Sequence, residues 1–297
     1  MKVIAPTPVT DAVLVSSTVP ETDYPAWNSA TAYAIGARVM IAATHQLYEA
    51  LTASTNKPPA ANPANWLLLG ANNRWRMFDN KVGTLTTGLG SVSVVLAPGI
   101  VTGVALFGVS ATTVQVTMTD TVEGVVFDQT LDMNDYTGIT DGYSYFFEDI
   151  RRKSAVVVEG LPSYRTAQLT ITASAGVSET VAIGSLVVGR LRKYADAVFL
   201  GAYAGILDFS RKERDAFGNF QVVERDFASL ARWRFDIPNN RIDALKEQLA
   251  ALRAKPAVYV GSDRFASSFV YGFFRDFGVT IEYPTHSECF IEVEGLV

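Results

Sequence analysis

What the chain is short of narrows its chemistry. It carries one cysteine, Cys289, and two histidines, His45 and His286, in 297 residues. A lone cysteine closes no intrachain disulfide and excludes any cysteine-based zinc site. Cys289 lies in the strand-like run 288–293, which reads as a buried thiol before a nucleophile. Two histidines are too few for most histidine-built metal centres, and leave a Ser-His-Asp triad only if one of them is the base. Positive charge is scarce as well. The 25 Lys and Arg against 30 Asp and Glu leave a net −5, without the field that a non-specific grip on nucleic acid needs. Long apolar runs are missing: 94–106 is broken by Pro98 and Gly99 and is too short to span a bilayer. Residues 1–10 hold one Lys and no apolar core of signal-peptide length. A soluble protein made in the cytoplasm is expected, without membrane insertion.

Catalytic and cofactor signatures are missing too. Gly88-Leu-Gly90 and the glycines at 99 and 103 lack the spacing and following helix of a dinucleotide fingerprint, and there is no Walker loop. No Gly-x-Ser-x-Gly elbow or His-Glu-x-x-His pair occurs. Glu213, Asp215, Glu224, Asp226 and Asp236 supply carboxylates for a glycosidase, which needs a particular separation in space; acidic residues in a charged ribbon are usually solvated or ion-paired. The expectation is a protein without cofactor or reactive centre.

What is present is β patterning. Residues 111–119 (ATTVQVTMT) put Val114, Val116 and Met118 on one face, and 167–173 (AQLTITA) repeat the device with Leu169, Ile171 and Ala173. Runs at 91–96 and 181–188 begin in alternation and end evenly apolar. Period-two patterning at this density predicts antiparallel strands in a β-sandwich or jelly roll over 71–190. Within it, Asp132, Asn134, Asp135 and Asp141 share one loop, either a solvated turn or a calcium site of oxygen ligands. Arg74-Trp75-Arg76 opens the block, read as a first strand with Trp75 and Met77 inward, or as a cation–π cluster at a domain seam. Ahead of it, 1–23 is Val-, Thr- and Pro-rich. Pro6, Pro8 and Pro20 forbid a helix, so an extended arm or edge strand is expected, laid on another surface such as a neighbouring subunit.

From Gly205 charges multiply. The turn Asp215-Ala-Phe-Gly218-Asn219 suits a hairpin, with arms at 207–213 and 220–225. Arg211, Glu213, Arg214, Asp215, Glu224 and Arg225 make this ribbon a candidate subunit contact of defined register, against the alternative of a solvated hairpin. One helix is expected at 241–254, with Ile242, Leu245, Leu249 and Leu252 as its stripe and Asn240 with Asp243 at capping-box spacing. Strands at 232–237, 257–261, 269–274, 279–283 and 288–293 complete an α+β unit over 191–297.

Residues 24–70 carry a more particular pattern. Trp27 is followed by Tyr33-Ala-Ile-Gly36-Ala-Arg-Val39, then Leu47-Tyr48-Glu-Ala50, then Pro58-Pro59 and Asn62-Pro63-Ala-Asn-Trp66. This resembles the small chitin-binding-type carbohydrate-binding modules of families 5 and 12. Three short strands bury little alone, so Trp27, Val39, Tyr48 and Trp66 are expected to form a miniature core. The resemblance implies sugar stacking on Tyr33, Trp66, Trp27 and Tyr48; a structural or docking role is the alternative. The closing run of the middle block, 182–189, is similar to galactose-binding-like jelly rolls.

Taken with Phe209-Ser-Arg-Lys-Glu-Arg-Asp-Ala-Phe-Gly218, Val258-Tyr-Val-Gly-Ser-Asp263 and Tyr271-Gly-Phe-Phe274, the arrangement of module, sandwich and helix-bearing β unit resembles tail-tip or baseplate proteins of long-tailed bacteriophages. That resemblance implies a ring-forming homo-oligomer akin to distal tail proteins, in contact with other tail proteins. It would be assembled in the host cytoplasm and carried in the virion, with accessory contact to cell-surface glycan. The alternative is an adhesin that grips host glycan through 24–70.

Overall fold

Alternation sets the faces of the central block. In the strand Thr113–Asp120 the side chains of Val114, Val116 and Met118 point inward, and in Gln168–Ser174 those of Leu169, Ile171 and Ala173 do the same, as the period of two predicts. The computed structural model describes residues 1–137, 139–147, 151–195, 201–214, 217–262, 265–281 and 283–296, and is mainly β. One antiparallel sheet runs Gly124–Asp132, Thr113–Asp120, Gln168–Ser174, Ser91–Leu96, Leu14–Ser17. A second, of nine strands, begins Ala155–Glu159, Gly103–Phe107, Ser185–Lys193, Lys2–Pro6, Ala257–Val260. It continues Phe269–Thr280, His286–Gly295, Phe227–Pro238, Tyr203–Asp208. Val104, Leu106, Leu186 and Val188 of the larger sheet meet Val94, Val116 and Ile171 of the smaller in a sandwich core.

The larger sheet is strongly curled. Phe107 and Tyr271 lie four strand spacings apart, ~19 Å in a flat sheet, yet their rings stack at 5.9 Å. The curl encloses Ile4, Ala105, Val187, Val258 and Val260. On the opposite face the Ile242–Leu252 helix buries Leu245 and Leu249 against Trp233, Phe235, Tyr259 and Ile291. The small module has its own core of Val39, Tyr48, Ala50 and Trp66.

Lys2–Pro6 occupies the middle of the curled sheet. Three strands drawn from 103–193 lie on one side and five drawn from 203–295 on the other. Among these strands it alone pairs with both groups, with Ser185–Lys193 and with Ala257–Val260. Ile4 is fully buried. Although Leu14–Ser17, further along the same expected stretch, is an edge strand of the smaller sheet, Lys2–Pro6 is neither an arm nor an edge strand. Its prolines mislead because Pro6 sits at the strand's end, where a missing N–H breaks no ladder, and Thr7 at once donates to the Val188 carbonyl at 2.8 Å. Opposite Pro6 stands Gly189, where a Cβ would collide with the Ala5 carbonyl oxygen and the Ile4 side chain.

Other expectations are corrected locally. Ser185–Lys193 runs through the boundary expected at residue 190, so one hydrogen-bonded sheet joins the two expected domains. The helix is shorter than expected and follows a 3-10 turn, Asn239–Arg241. No side chain caps it, so the Asn240–Asp243 capping box does not form. Asn239 is engaged instead, donating to the Tyr283 carbonyl at 2.8 Å and accepting from the Ser287 hydroxyl at 2.5 Å. Residues 76–78 form a 3-10 turn in place of a first strand. The aromatic run after Asp141, whose apolar residues carry no decisive period, forms the short helix Gly142–Phe147.

Ile4→Ala should lower stability by about 2–5 kcal/mol, and Gly189→Val by more, since it blocks the strand's approach outright. Denaturant unfolding with hydrogen exchange checks this: exchange should separate the 103–193 strands from the 203–295 strands. Two halves that still exchange together would contradict the role given to Lys2–Pro6.

Candidate functional site

The module is a three-stranded sheet of Arg38–Ile41, Gln46–Ala50 and Trp66–Ala71, with a short ladder of Ala32–Tyr33 on Ser54–Thr55. Gly36, at φ +80°, makes the turn that leads into it. Trp66 is only 2% exposed and donates its indole N–H to the Lys57 carbonyl at 2.9 Å. Tyr48 is 6% exposed and donates to the Gln46 side chain. Both are core side chains, so neither offers a face to a sugar. Tyr33 and Trp27 are half-buried against that core. Tyr33 meets Trp66 edge-on at 5.3 Å and accepts the Asn28 backbone N–H at 2.7 Å. The structure brings all four aromatics together, as a core rather than as a stacking platform. What the module exposes is aliphatic: Ile35, Leu51 and three consecutive leucines, Leu67, Leu68 and Leu69. The leucines lie on Trp66–Ala71, which pairs on one side only. Such an edge fits protein contact better than glycan stacking.

At the module's root Trp75 does sit at a seam, but stacked on His45 rather than on its flanking arginines. The two rings are 4.1 Å apart at 20°. His45 ends the turn between the first two module strands in a left-handed conformation. Its Nδ1 lies 3.0 Å from Glu21 and its Nε2 2.9 Å from Asp11. Both ring nitrogens face carboxylates, so neither is directed at a serine hydroxyl. Arg74 donates to the Val19 carbonyl at 2.6 Å, and the buried Asn72 donates its backbone N–H to the His45 carbonyl at 2.8 Å. His286, the other histidine, stacks on Tyr283 and contacts the Thr285 hydroxyl.

The remaining chemical candidates are engaged locally. Asp132 accepts the Asn134 backbone N–H at 2.8 Å and the Tyr136 hydroxyl at 3.1 Å; Asp135 accepts the Thr137 backbone N–H at 3.1 Å. The Asn134 N–H beside Asp132, and Thr137 beside Asp135, hold both carboxyls below the usual range. Among the described residues no group of three or more His, Cys, Asp or Glu is placed to hold a metal ion, so the calcium reading of this loop gains no support. Burial pushes the Cys289 thiol up to about 11, which leaves it protonated near neutral pH. Among the described residues no helix is long and apolar enough to cross a membrane.

The charged ribbon is real, though shorter than expected: Arg211–Arg214 pairs with Phe220–Val223 as an independent two-stranded sheet. All eight residues are exposed. Arg211 pairs with Glu213 at 2.5 Å, and Arg214 lies over the Phe220 ring at 4.4 Å. Glu224 and Arg225 are exposed at its base; Asp215 lies outside the described residues. Lys212 and Ser210 hold the Asp208 carboxyl below the ordinary carboxylate range. Charge patterning marked this ribbon, yet its apolar content is as telling: Phe220 is 64% exposed and Val222 61%. At its root a groove of about 460 Å³, lined by Val82, Phe107, Ala155, Phe227, Phe269 and Leu296 among others, opens beside the curled sheet.

No protein-family model, curated protein or solved structure matches the chain significantly. The functional reading therefore rests on surfaces. Trp66→Ala should cost about 3–5 kcal/mol and unfold 24–70, because so small a core has nothing to replace it. Leu68→Ser should change stability by less than about 0.5 kcal/mol. Thermal unfolding followed by side-chain NMR of the module distinguishes the two; a folded module in Trp66→Ala would contradict the core assignment.

Proposed function

We propose that this protein is a structural subunit that assembles with copies of itself, at the tail tip or baseplate of a long-tailed bacteriophage. The observation that carries the assembly reading is the ribbon. A two-stranded hairpin in water is marginally stable by itself, and this one exposes both strands together with Phe220 and Val222. Beside it the edge strand Tyr203–Asp208 pairs on one side only and leaves Ile206 exposed. Open strand edges and uncovered apolar side chains are what a neighbouring chain completes, and mixed charge along the ribbon selects one register. A head-to-tail contact of this kind generates a ring when its rotation closes.

The placement in a phage tail draws on the resemblance of the 209–218, 258–263 and 271–274 runs and on the order of module, sandwich and helix-backed sheet. In this reading the ribbon and C-terminal unit make subunit contacts, while the module docks other tail proteins through its leucine edge. Glycan contact is the weaker use of the module, since two of the four aromatics expected to stack on sugar, Tyr48 and Trp66, are buried.

Multi-angle light scattering at micromolar concentration should give a defined oligomer. Phe220→Asp with Val222→Asp should dissociate it while leaving the unfolding midpoint within the range of ordinary surface substitutions. A strict monomer, alone and with neighbouring tail proteins, would count decisively against this function. Tight glycan-array binding lost in Tyr33→Ala would favour the adhesin instead.

A further inference from the structure

His45 joins three parts of the chain. It belongs to the module, Asp11 and Glu21 to the segment that leads into it, and Trp75 to the turn that leads out. A neutral imidazole has one N–H and one lone pair. Either lone pair would face a carboxylate oxygen at 3.0 Å or closer, a repulsive arrangement. The reverse polarity, with a protonated carboxyl donating to the ring, is opposed by the surroundings. Glu21 Oε1 already accepts the Trp75 indole N–H at 2.5 Å and lies 4.0 Å from the Arg74 guanidinium. Asp11 is 74% exposed at its side chain, where water favours the ionised form. Both contacts thus call for the imidazolium. The charged groups around the ring are Asp11 and Glu21, with Arg74 behind Glu21. Asp23 is turned to the Asn73 backbone N–H at 2.6 Å, and Met40 and Asn72 bring no charge to the module side.

We propose that His45, as an imidazolium bridging Asp11 and Glu21, is a proton-operated latch that fixes the orientation of the small module on the β body. With the proton on, the incoming and outgoing segments are pinned around one ring. When it leaves to solvent, one carboxylate faces a lone pair, that bond is lost, and the module turns more freely about 18–23 and 71–75. The sign follows: the latch is closed while both ring nitrogens carry protons and opens when one is lost. Imidazole is the side chain whose charge ordinarily changes between about pH 5 and 8. The latch is independent of self-assembly and stands or falls separately from it.

Two measurements on the full chain test it. Amide protection at Asn72 and Asn73, corrected for intrinsic exchange, should drop about fivefold or more between about pH 5.5 and 8.5, while protection at Ile4 and Val258 holds. His45→Asn tolerates the left-handed turn but cannot bridge two carboxylates as a cation, so its seam should be weakly protected throughout. Side-chain nitrogen NMR of the unaltered protein should show both His45 nitrogens protonated at the acid end, a readout that needs no variant. A flat protection profile, or a neutral ring at the acid end with the seam still protected, overturns the proposal.

Discussion

The backbone pairing of Lys2–Pro6 on both sides is the constraint on which the architecture depends. The strands from 103–193 and those from 203–295 would otherwise form two separate sheets; one five-residue strand makes them a single curled surface. The same N-terminal segment then crosses to the smaller sheet, where Leu14–Ser17 pairs with Ser91–Leu96. Beyond that it supplies Asp11 and Glu21 to the module's root. Within 23 residues it enters three apolar cores and reaches the root of the module. Long-range pairing of this kind carries a large loop-closure cost, so the contact is favoured only after both halves of the sheet exist to receive it. Ile4 and Val3 alternate between the enclosed core and the helix-covered core, which gives the strand an apolar reason to insert on each face.

The chain treats its surfaces unequally, and that contrast supports the assembly reading. On the outer face of the C-terminal strands, Arg232 meets Glu292 at 2.7 Å, Arg275 reaches Glu292 at 3.6 Å and Arg234 approaches Glu288 at 3.7 Å. Each such exposed pair contributes only about 0–1 kcal/mol, but together they leave that face charged and poorly suited to adventitious contact. The ribbon and the Tyr203–Asp208 edge carry charged pairs of their own, yet there and on the leucine edge of the module Phe220, Val222, Ile206 and Leu67–Leu69 stay exposed. Uncovered apolar groups at strand edges are costly in a monomer and useful in an assembly.

Legibility in the sequence followed the range of the interactions. Strands such as Thr113–Asp120 and the stripe of the Ile242–Leu252 helix are written in local period, and they fold as that period predicts. The ribbon was legible from its turn residues and charges. Lys2–Pro6 was not, because its five residues show no alternation and its partners lie near positions 190 and 259. The module shows a different limit. Spacing marked Trp27, Tyr33, Tyr48 and Trp66 as a set, but an aromatic that stacks on sugar and one that fills a small core look alike until burial separates them. The sequence marks His45 only as a possible triad base, not as a bridge. Its partners at 11, 21 and 75 form no motif, and only the sharing of both ring nitrogens by carboxylates distinguishes it.

The module's attachment follows a different physical logic from the rest of the fold. Its core of Val39, Tyr48, Ala50 and Trp66 is separate from the sandwich core, and Trp75 meets the body through an edge-on contact with Phe78 at 5.8 Å. Freeing an element packed through a shared apolar core would cost ~25 cal/mol for each Å² of apolar area uncovered. Freeing this module leaves its core intact, unstacks His45 from Trp75 and trades polar contacts for water, a difference of the order of a few kcal/mol. At that scale the charge on one imidazole is a substantial fraction of what holds the seam. A hydrophobic seam would respond to no such signal, so the polar chemistry at the root lets the module reorient without unfolding.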